Sequence, residues 1–335
     1  VRVYRGLPKS AQGAGSRAPC AITIGNFDGV HLGHQALLAE VRAAADRLGV
    51  DAAVMTFEPH PREFFADRAG DPSKAPTRIA GLRDKMQALA RQGIDRVTVE
   101  HFNARFASLS AEQFIRQILV EGCHTRWLMV GEDFRFGAGR TGNFNMLREA
   151  GRSFGFETHS LATVVAAGQP GLRVSSSAVR AALAGGNLAL ADSLLGHPYF
   201  ITGRVVHGQK LGRTIGFPTA NLRITHNRPA VSGIFVVQVH GIGATPRPGV
   251  ASIGKRPTVD DSGRVLLEIF LLDFAGDLYG KLLRVEFLHK LRDEEKYIDV
   301  PTLTIAIGHD VEQTRRYFAA RQAPATPDLL SATPL

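Results

Sequence analysis

Cysteine is nearly absent: the 335 residues include only Cys20 and Cys123, far apart and without metal-ligand spacing. Such a pair gives neither a disulfide framework nor a cysteine zinc site, and reads as two buried thiols in a reducing compartment. No apolar run is long enough to span a bilayer, and the first residues lack an apolar signal core. The expectation is a cytoplasmic protein with no membrane partner. Internal repeats are missing, and so is any Lys/Arg block or aromatic-rich basic strip. The formal charge of +9 comes from 40 Lys+Arg against 31 Asp+Glu. Small phosphorylated ligands account for that excess as well as nucleic acid does, so no nucleic-acid partner is expected.

What remains is an ordinary globular composition, 44% hydrophobic and 21% charged, at a length that suits two domains. The first half alternates strand and helix. Cys20–Ile24, Ala52–Phe57, Arg96–Val99, Trp127–Val130 and Thr158–Leu161 read as strands. Leu37, Leu38, Val41, Ala44, Ala45 and Leu48 recur at helical spacing before Gly49, a C-cap residue. A second helix is expected around Ile79–Arg91, and a third, opened by a Ser110/Gln113 capping box, runs to Glu121. This grammar predicts a parallel α/β sheet whose ligand site lies beyond the carboxyl ends of its strands.

Three stretches fall at such ends, and a fourth precedes a short helix. Gly25-Asn26-Phe27-Asp28-Gly29-Val30-His31-Leu32-Gly33-His34-Gln35 joins a buried strand to an amphipathic helix. Its glycines allow a tight turn, two histidines share the first helical turn, and free N–H groups with the helix dipole suit a polyphosphate. Two histidines decorating a helix start would be the blander reading. Phe57–Pro61 closes a strand with two prolines, and Gly131–Gly137 forms a loop with Asp133, Phe134, Arg135 and Phe136. At least one of the two phenylalanines is expected in the core. Val174–Arg180 is expected to precede a short helix ending near Gly185; its hydroxyls and Arg180 suit phosphate oxygens, or a serine N-cap and a solvated arginine.

After about residue 198 the pattern changes to six strands, Tyr199–Val206, Thr219–Ile224, Gly233–Val239, Gly249–Ile253, Val265–Phe274 and Leu282–His289, then one helix, Pro301–Arg321. This predicts a small β-barrel or sandwich with a terminal helix. Gly208, Lys210, Gly212 and Arg213 make a flexible basic loop that could wrap a triphosphate, although its spacing is not that of a P-loop. Glu268 interrupts the apolar strand Val265–Leu272 on the face of Leu266, Phe270 and Leu272, where a carboxylate is costly unless paired or functional.

Eight stretches in order, GNFDGVHLGHQ, TFEPHP, VGEDFRFG, VSSSAVR, GRVVHGQKLGRTIGFPTANL, IGKRPT, LEIFLLDFAGDLYG and LRDEEKY, resemble the bacterial bifunctional riboflavin kinase/FMN adenylyltransferase family, also called FAD synthetase. The resemblance covers the chain to about residue 321. It implies an N-terminal Rossmann-like nucleotidylyltransferase domain over 1–186, a linker over 187–198, a six-stranded riboflavin kinase barrel over 199–321 and a disordered tail over 322–335. It implies phosphorylation of riboflavin to FMN and adenylylation of FMN to FAD, with ATP as co-substrate and Mg²⁺. The alternatives are a chain with one working site, or a flavin- or nucleotide-sensing regulator that binds nucleic acid; self-association stays open.

The same resemblance implies residue roles. His31, His34 and Arg180 would serve adenylyl transfer, with Gly25, Phe27, Asp28, Gly33, Ser175, Ser176 and Ser177 on ATP. His60, Asp133 and Arg135 would line the flavin side. In the kinase, Glu268 would be the general base, Gly208, Lys210, Gly212 and Arg213 would hold ATP, and Thr219 and Asn221 of Pro-Thr-Ala-Asn would contact magnesium. Arg292, Glu294 and Tyr297 would close over the flavin. Ser177 stands where the family usually has threonine, Tyr297 where it has phenylalanine, and Ile298 where it often has aspartate.

Overall fold

The computed structural model describes residues 1–7, 18–208, 211–224, 226, 228–254 and 265–322. Lys210, the Lys-Arg-Pro-Thr part of IGKRPT and the expected tail from residue 323 lie outside the described residues. The chain divides into two compact units: Val1–Gly185 and Ala189–His197 belong to the first, and the second is built chiefly from Pro198 onward.

In the first unit β1 (Arg2–Arg5), β2 (Cys20–Ile24), β3 (Asp51–Glu58), β4 (Arg96–His101), β5 (Thr125–Gly131) and β6 (Glu157–Leu161) form a sheet in the order β1-β4-β3-β2-β5-β6. Every pairing is parallel. The order reverses between β2 and β5, and such a switch point opens a crevice at the carboxyl ends of the two strands. Strand β1 was not among the expected five. Its four residues carry no pattern that separates strand from loop, and pairing with β4 alone makes it one.

The helices of this unit are α1 (Leu32–Leu48), α2 (Pro61–Arg68), α3 (Leu82–Arg91), α4 (Ala104–Ala107), α5 (Ala111–Gln113), α6 (Phe144–Phe154), α7 (Ser176–Ala184) and α8 (Leu188–Leu195). Helix α1 presents Leu37, Leu38, Val41, Ala44 and Ala45 to one sheet face together with Leu89 of α3. The opposite face packs Cys20, Ile22 and Ile24 on Phe114, Ile115, Ile118 and Leu119, from a π-helical turn (Phe114–Gly122) continuing α5, and on Leu147 of α6. The expected Gly49 C-cap and Ser110/Gln113 capping box are both present. Three expectations change. The prolines that end β3 also start a helix, since His60 caps α2 and Pro61 is its first residue. Ser175 caps α7, so Ser177 and Arg180 lie inside that helix and do not precede it. The stretch 187–198 contains α8, with Leu188, Ala191, Leu194 and Leu195 buried.

In the second unit β7 (Phe200–Val206), β8 (Thr219–Arg223), β9 (Gly233–His240), β10 (Arg247–Ile253), β11 (Leu266–Leu271) and β12 (Leu282–Arg292) close an antiparallel barrel in the order β10-β11-β8-β7-β12-β9. Leu267, Ile269, Val285, Phe287, Val237 and Ala251 are buried, the alternation expected of a small barrel filled by side chains. A short helix, α9 (Leu211–Thr214), interrupts the loop between β7 and β8, and α10 (Val300–Gln322) follows the barrel. Register sets Asn221 of β8 opposite Glu268 of β11, and Thr219 opposite Phe270.

Candidate active sites

At the β2/β5 switch point a cavity of about 380 Å³ is lined by Gly25, Phe27, His31, Gly33 and His34 after β2, and by Gly131–Phe134 after β5. Leu161–Val164 after β6 and Arg173–Ser176 complete it. The turn between β2 and α1 is strained: Phe27, Gly29 and Val30 all have positive φ, at 47°, 87° and 43°. A β-branched valine there is an outlier that persists because Val30 and Phe27 are locked in the core.

His31 does more than occupy the first helical turn. It is the N-cap of α1, its Nδ1 accepting the His34 N–H at 3.3 Å. The ring proton therefore belongs on Nε2. The His31 and His34 rings stack, centroids 3.6 Å apart. Burial pushes His31 down to about 4 against the opposing pull of Asp28, and Arg180 and Arg173 add smaller effects in the same direction as burial. Burial likewise drives His34 well below its ordinary value. The pair is neutral, with His31 buried and His34 half-buried, not a cationic grip or an exposed decoration. A Cβ on Gly33 would press on His31 Nδ1 and the Val174 carbonyl, each at 3.2 Å, so glycine admits the helix start to the cavity wall.

Other expected residues are distributed differently. Ser175 Oγ accepts the Ala178 N–H at 3.2 Å, Ser176 Oγ donates to the Asp28 carbonyl at 3.0 Å, and Ser177 is exposed. Asp28 is fully buried and, with Arg180, does not line the cavity. Phe134 lines it while Phe136 is core. Asp133 lines it and pairs with Arg173 at 2.9 Å; Arg135 is exposed outside it. The end of β3 does not reach this cavity. His60 is buried there, its Nδ1 accepting the Arg62 N–H at 3.1 Å, and burial takes it to about 4. Beside it the buried Arg78 joins the half-buried Glu58 and Glu63 in an ion cluster.

The barrel carries a second cavity, of about 320 Å³. It brings together Gly212, Thr219, Glu268, Arg292, Glu294 and Tyr297, six residues drawn from three separate stretches of sequence. Glu268 is half-buried, opposite both Ser252 of β10 and Asn221 of β8. Directly opposed residues on one face have Cβ atoms about 5 Å apart, so the Asn221 amide and the Glu268 carboxylate are neighbours. A Cβ on Gly208 would collide with the Asn221 amide, so the loop closes against that side chain. Arg213 is exposed and outside the cavity. Glu294 accepts from Ser252 Oγ at 3.1 Å, and Arg292 lies 5.8 Å from the Tyr297 ring centroid.

Sequence reasoning missed what α10 contributes. Leu303, Ile307 and Asp310 line the cavity, and Asp310, 2% exposed, receives Arg292 in a two-bond fork at 2.9 and 2.7 Å. The spacing of those three residues by four and three was the available signal, a carboxylate on an apolar helical face. Arg173 and the Leu161–Val164 wall were missed as well. Lys85, 1% exposed beneath the first cavity with its Nζ 3.5 Å from Thr56 Oγ1, was missed for lack of any local motif.

Residues 14–178 match the family described as FAD synthetase and residues 195–318 the family described as riboflavin kinase. The bifunctional riboflavin kinase/FMN adenylyltransferase of Escherichia coli strain K12 is 48% identical over 97% of this chain and 100% of its own length. That of Haemophilus influenzae is 45% identical over 89% of this chain and 94% of its own. A solved chain from Streptococcus pneumoniae, titled a macrolide-efflux protein, is 28% identical and superposes with a TM-score of 0.73 over 94% of this chain and 99% of that one. Two cavities, each on a unit with its own family match, agree with a relationship that runs the length of the chain, and the chain belongs to the bifunctional riboflavin kinase/FMN adenylyltransferase family.

Proposed function

We propose that this chain makes FAD from riboflavin in two ATP-dependent steps, one in each unit. The carrying observation is the convergence of Glu268, Thr219, Arg292, Glu294 and Tyr297 on one cavity and of His31, Gly33, His34, Ser175 and Ser176 on another. Among the described residues no helix is long and apolar enough to cross a membrane, and the proposed setting is the cytoplasm with small-molecule substrates.

In the barrel, Glu268 takes the proton of the ribityl 5′-hydroxyl as that oxygen attacks the γ-phosphorus of ATP; the bond to the β-bridging oxygen breaks and ADP leaves. The apolar wall of Ile215, Phe217, Ile234, Val250, Leu303 and Ile307 suits a flat tricyclic ring. Thr219 and Asn221 present a hydroxyl and an amide oxygen beside Glu268, hard neutral donors that fit a magnesium retaining several waters. Magnesium bound there supplies charge neutralisation on the nucleotide phosphates.

In the α/β unit an FMN phosphate oxygen attacks the α-phosphorus of ATP, and the α–β bridging bond breaks to release pyrophosphate. The neutral His31 Nε2–H, His34, the first N–H groups of α1 and the Ser175–Ser176 turn stabilise charge on the phosphates without a covalent intermediate.

Glu268→Gln is expected to slow FMN formation by about 10²–10⁴-fold while FMN-to-FAD conversion survives, and His31→Ala to do the reverse. Feeding riboflavin and FMN separately and resolving the products reads both outcomes. Loss of both activities in folded Glu268→Gln protein would sink the assignment of separate sites.

A further inference from the structure

Asp28 belongs to the phosphate-binding stretch but turns away from the phosphates. Its carboxylate is spent on inward partners. The Ile79 N–H donates to Oδ1 and Oδ2 at 3.1 and 3.2 Å, the Ala80 N–H to Oδ1 at 3.1 Å, and Arg180 Nη2 to Oδ2 at 2.6 Å. Arg180 Nε in turn donates to the Thr77 carbonyl at 2.7 Å, and the Asp28 carbonyl accepts from Ser176 Oγ. One residue thus ties three distant segments: the turn after β2, residues 77–80 ahead of α3, and the first turns of α7.

We infer that Asp28 is a positioning residue for adenylyl transfer, acting through Arg180 and the Ser175–Ser176 turn and not by touching ATP. This rests on assigning the first unit to FMN adenylylation. A free arginine side chain carries about 2 kcal/mol of rotamer entropy. The Asp28–Thr77 grip removes it before substrate arrives and pins α7, whose first turn, Ser175–Ser176, lines the cavity although Arg180 does not. The arrangement is also self-enforcing, because an unpaired buried carboxylate would be costly. Burial pushes the Asp28 carboxyl up, but Arg180, Lys85 and the Ala80 N–H outweigh it and hold it below the usual carboxylate range. Two cations around one anion leave positive charge behind the loop, while neighbouring Arg78 is answered by Glu58 and Glu63. His31 and His34 contribute none.

The test is a double-mutant cycle on the full chain with Asp28→Asn, Arg180→Met and the double variant. It measures kcat and KM for ATP in FMN-to-FAD conversion, with riboflavin-to-FMN conversion assayed on the same preparations. Each single variant is expected to lose about 10–100-fold in kcat/KM, and the double to fall within about threefold of the worse single. Kinase activity is expected to stay at the wild-type level. Multiplicative losses, or an Asp28→Asn defect relieved by raising magnesium as for a direct ligand, overturn the inference. Part of each loss is expected as a raised KM for ATP; a structural defect alone lowers the active fraction and leaves KM for ATP unchanged, and that result also overturns the inference. If Asp28→Asn does not fold, Arg180→Lys decides: it keeps the charge but loses the simultaneous grip of Asp28 and Thr77. A kcat loss of about tenfold or more is expected, and wild-type kcat refutes the positioning role. A wild-type chain that makes FMN but no FAD would instead remove the adenylyltransferase reading itself, and the inference with it.

Discussion

Acidifying the protein to about pH 5 should leave His31 neutral, unlike an ordinary histidine. Burial takes its ring from 6.5 to about 4, a preference for the neutral form of about 3 kcal/mol. The sign follows from linkage. Between 6.5 and about 4 the unfolded chain binds a proton that the folded chain refuses, so stability is complete above 6.5 and declines as the pH falls. By about pH 5 the cost is about 2 kcal/mol for this ring, and His60, also brought to about 4 by burial, adds a similar amount. Rate–pH profiles are a poor assay, because the second ionisation of a phosphate monoester, near 6, moves the substrate FMN in the same range. Imidazole NMR of ¹⁵N-histidine-labelled protein reads the ring directly, with His31→Gln identifying the resonance. The expected spectrum has the proton on Nε2, because Nδ1 accepts the His34 N–H, and no titration down to about pH 5. Urea unfolding of the first unit should weaken over the same interval. Titration of His31 near 6.5, or a proton on Nδ1, would refute the neutral-donor account.

Two further perturbations address the barrel. Asp310→Asn breaks the fork that holds Arg292 and should raise KM for riboflavin by about tenfold, with FMN-to-FAD conversion unchanged; an unaltered KM would detach α10 from flavin binding. Gly208→Ala drives a methyl into the Asn221 amide and should cut kinase kcat by about 10-fold or more, read as FMN formed from riboflavin; full activity would mean that the loop does not need this close approach.

Legibility in the sequence followed locality. The Gly25–His34 turn could be read because glycines, an apolar strand and an apolar helical stripe lie within one window. The six barrel strands were readable because turn residues punctuate them. What escaped depends on partners far along the chain. Strand β1 exists through β4, some 90 residues on. The direction of Asp28 depends on N–H groups about 50 residues away and on positive φ at its neighbours, where no periodicity predicts which way a side chain points. The serine run read as a loop because serine favours caps, yet only Ser175 caps and the helix takes the rest. Taken locally, Asp310 is one polar residue of a terminal helix; its role depends on Arg292, which comes from β12.

The two cavities differ in acid–base equipment as their acceptors would require. Riboflavin offers a neutral hydroxyl, whose attack on phosphorus needs somewhere for a proton to go. The barrel places a half-buried carboxylate, Glu268, beside neutral oxygen donors from β8. FMN offers a phosphate that is already largely ionised at neutral pH, so its attack needs no base. The first cavity accordingly presents histidines held neutral by burial, with the one tautomer fixed by an N-cap hydrogen bond and positive charge kept behind the wall. A protonated imidazole there would bind the anions more strongly in the ground state as well as in the transition state. A neutral donor aimed at the oxygen where charge accumulates favours the second over the first. The stacked histidine pair, with His31 buried and capping α1, is therefore the feature through which this α/β unit would perform phosphate chemistry without a general base of its own.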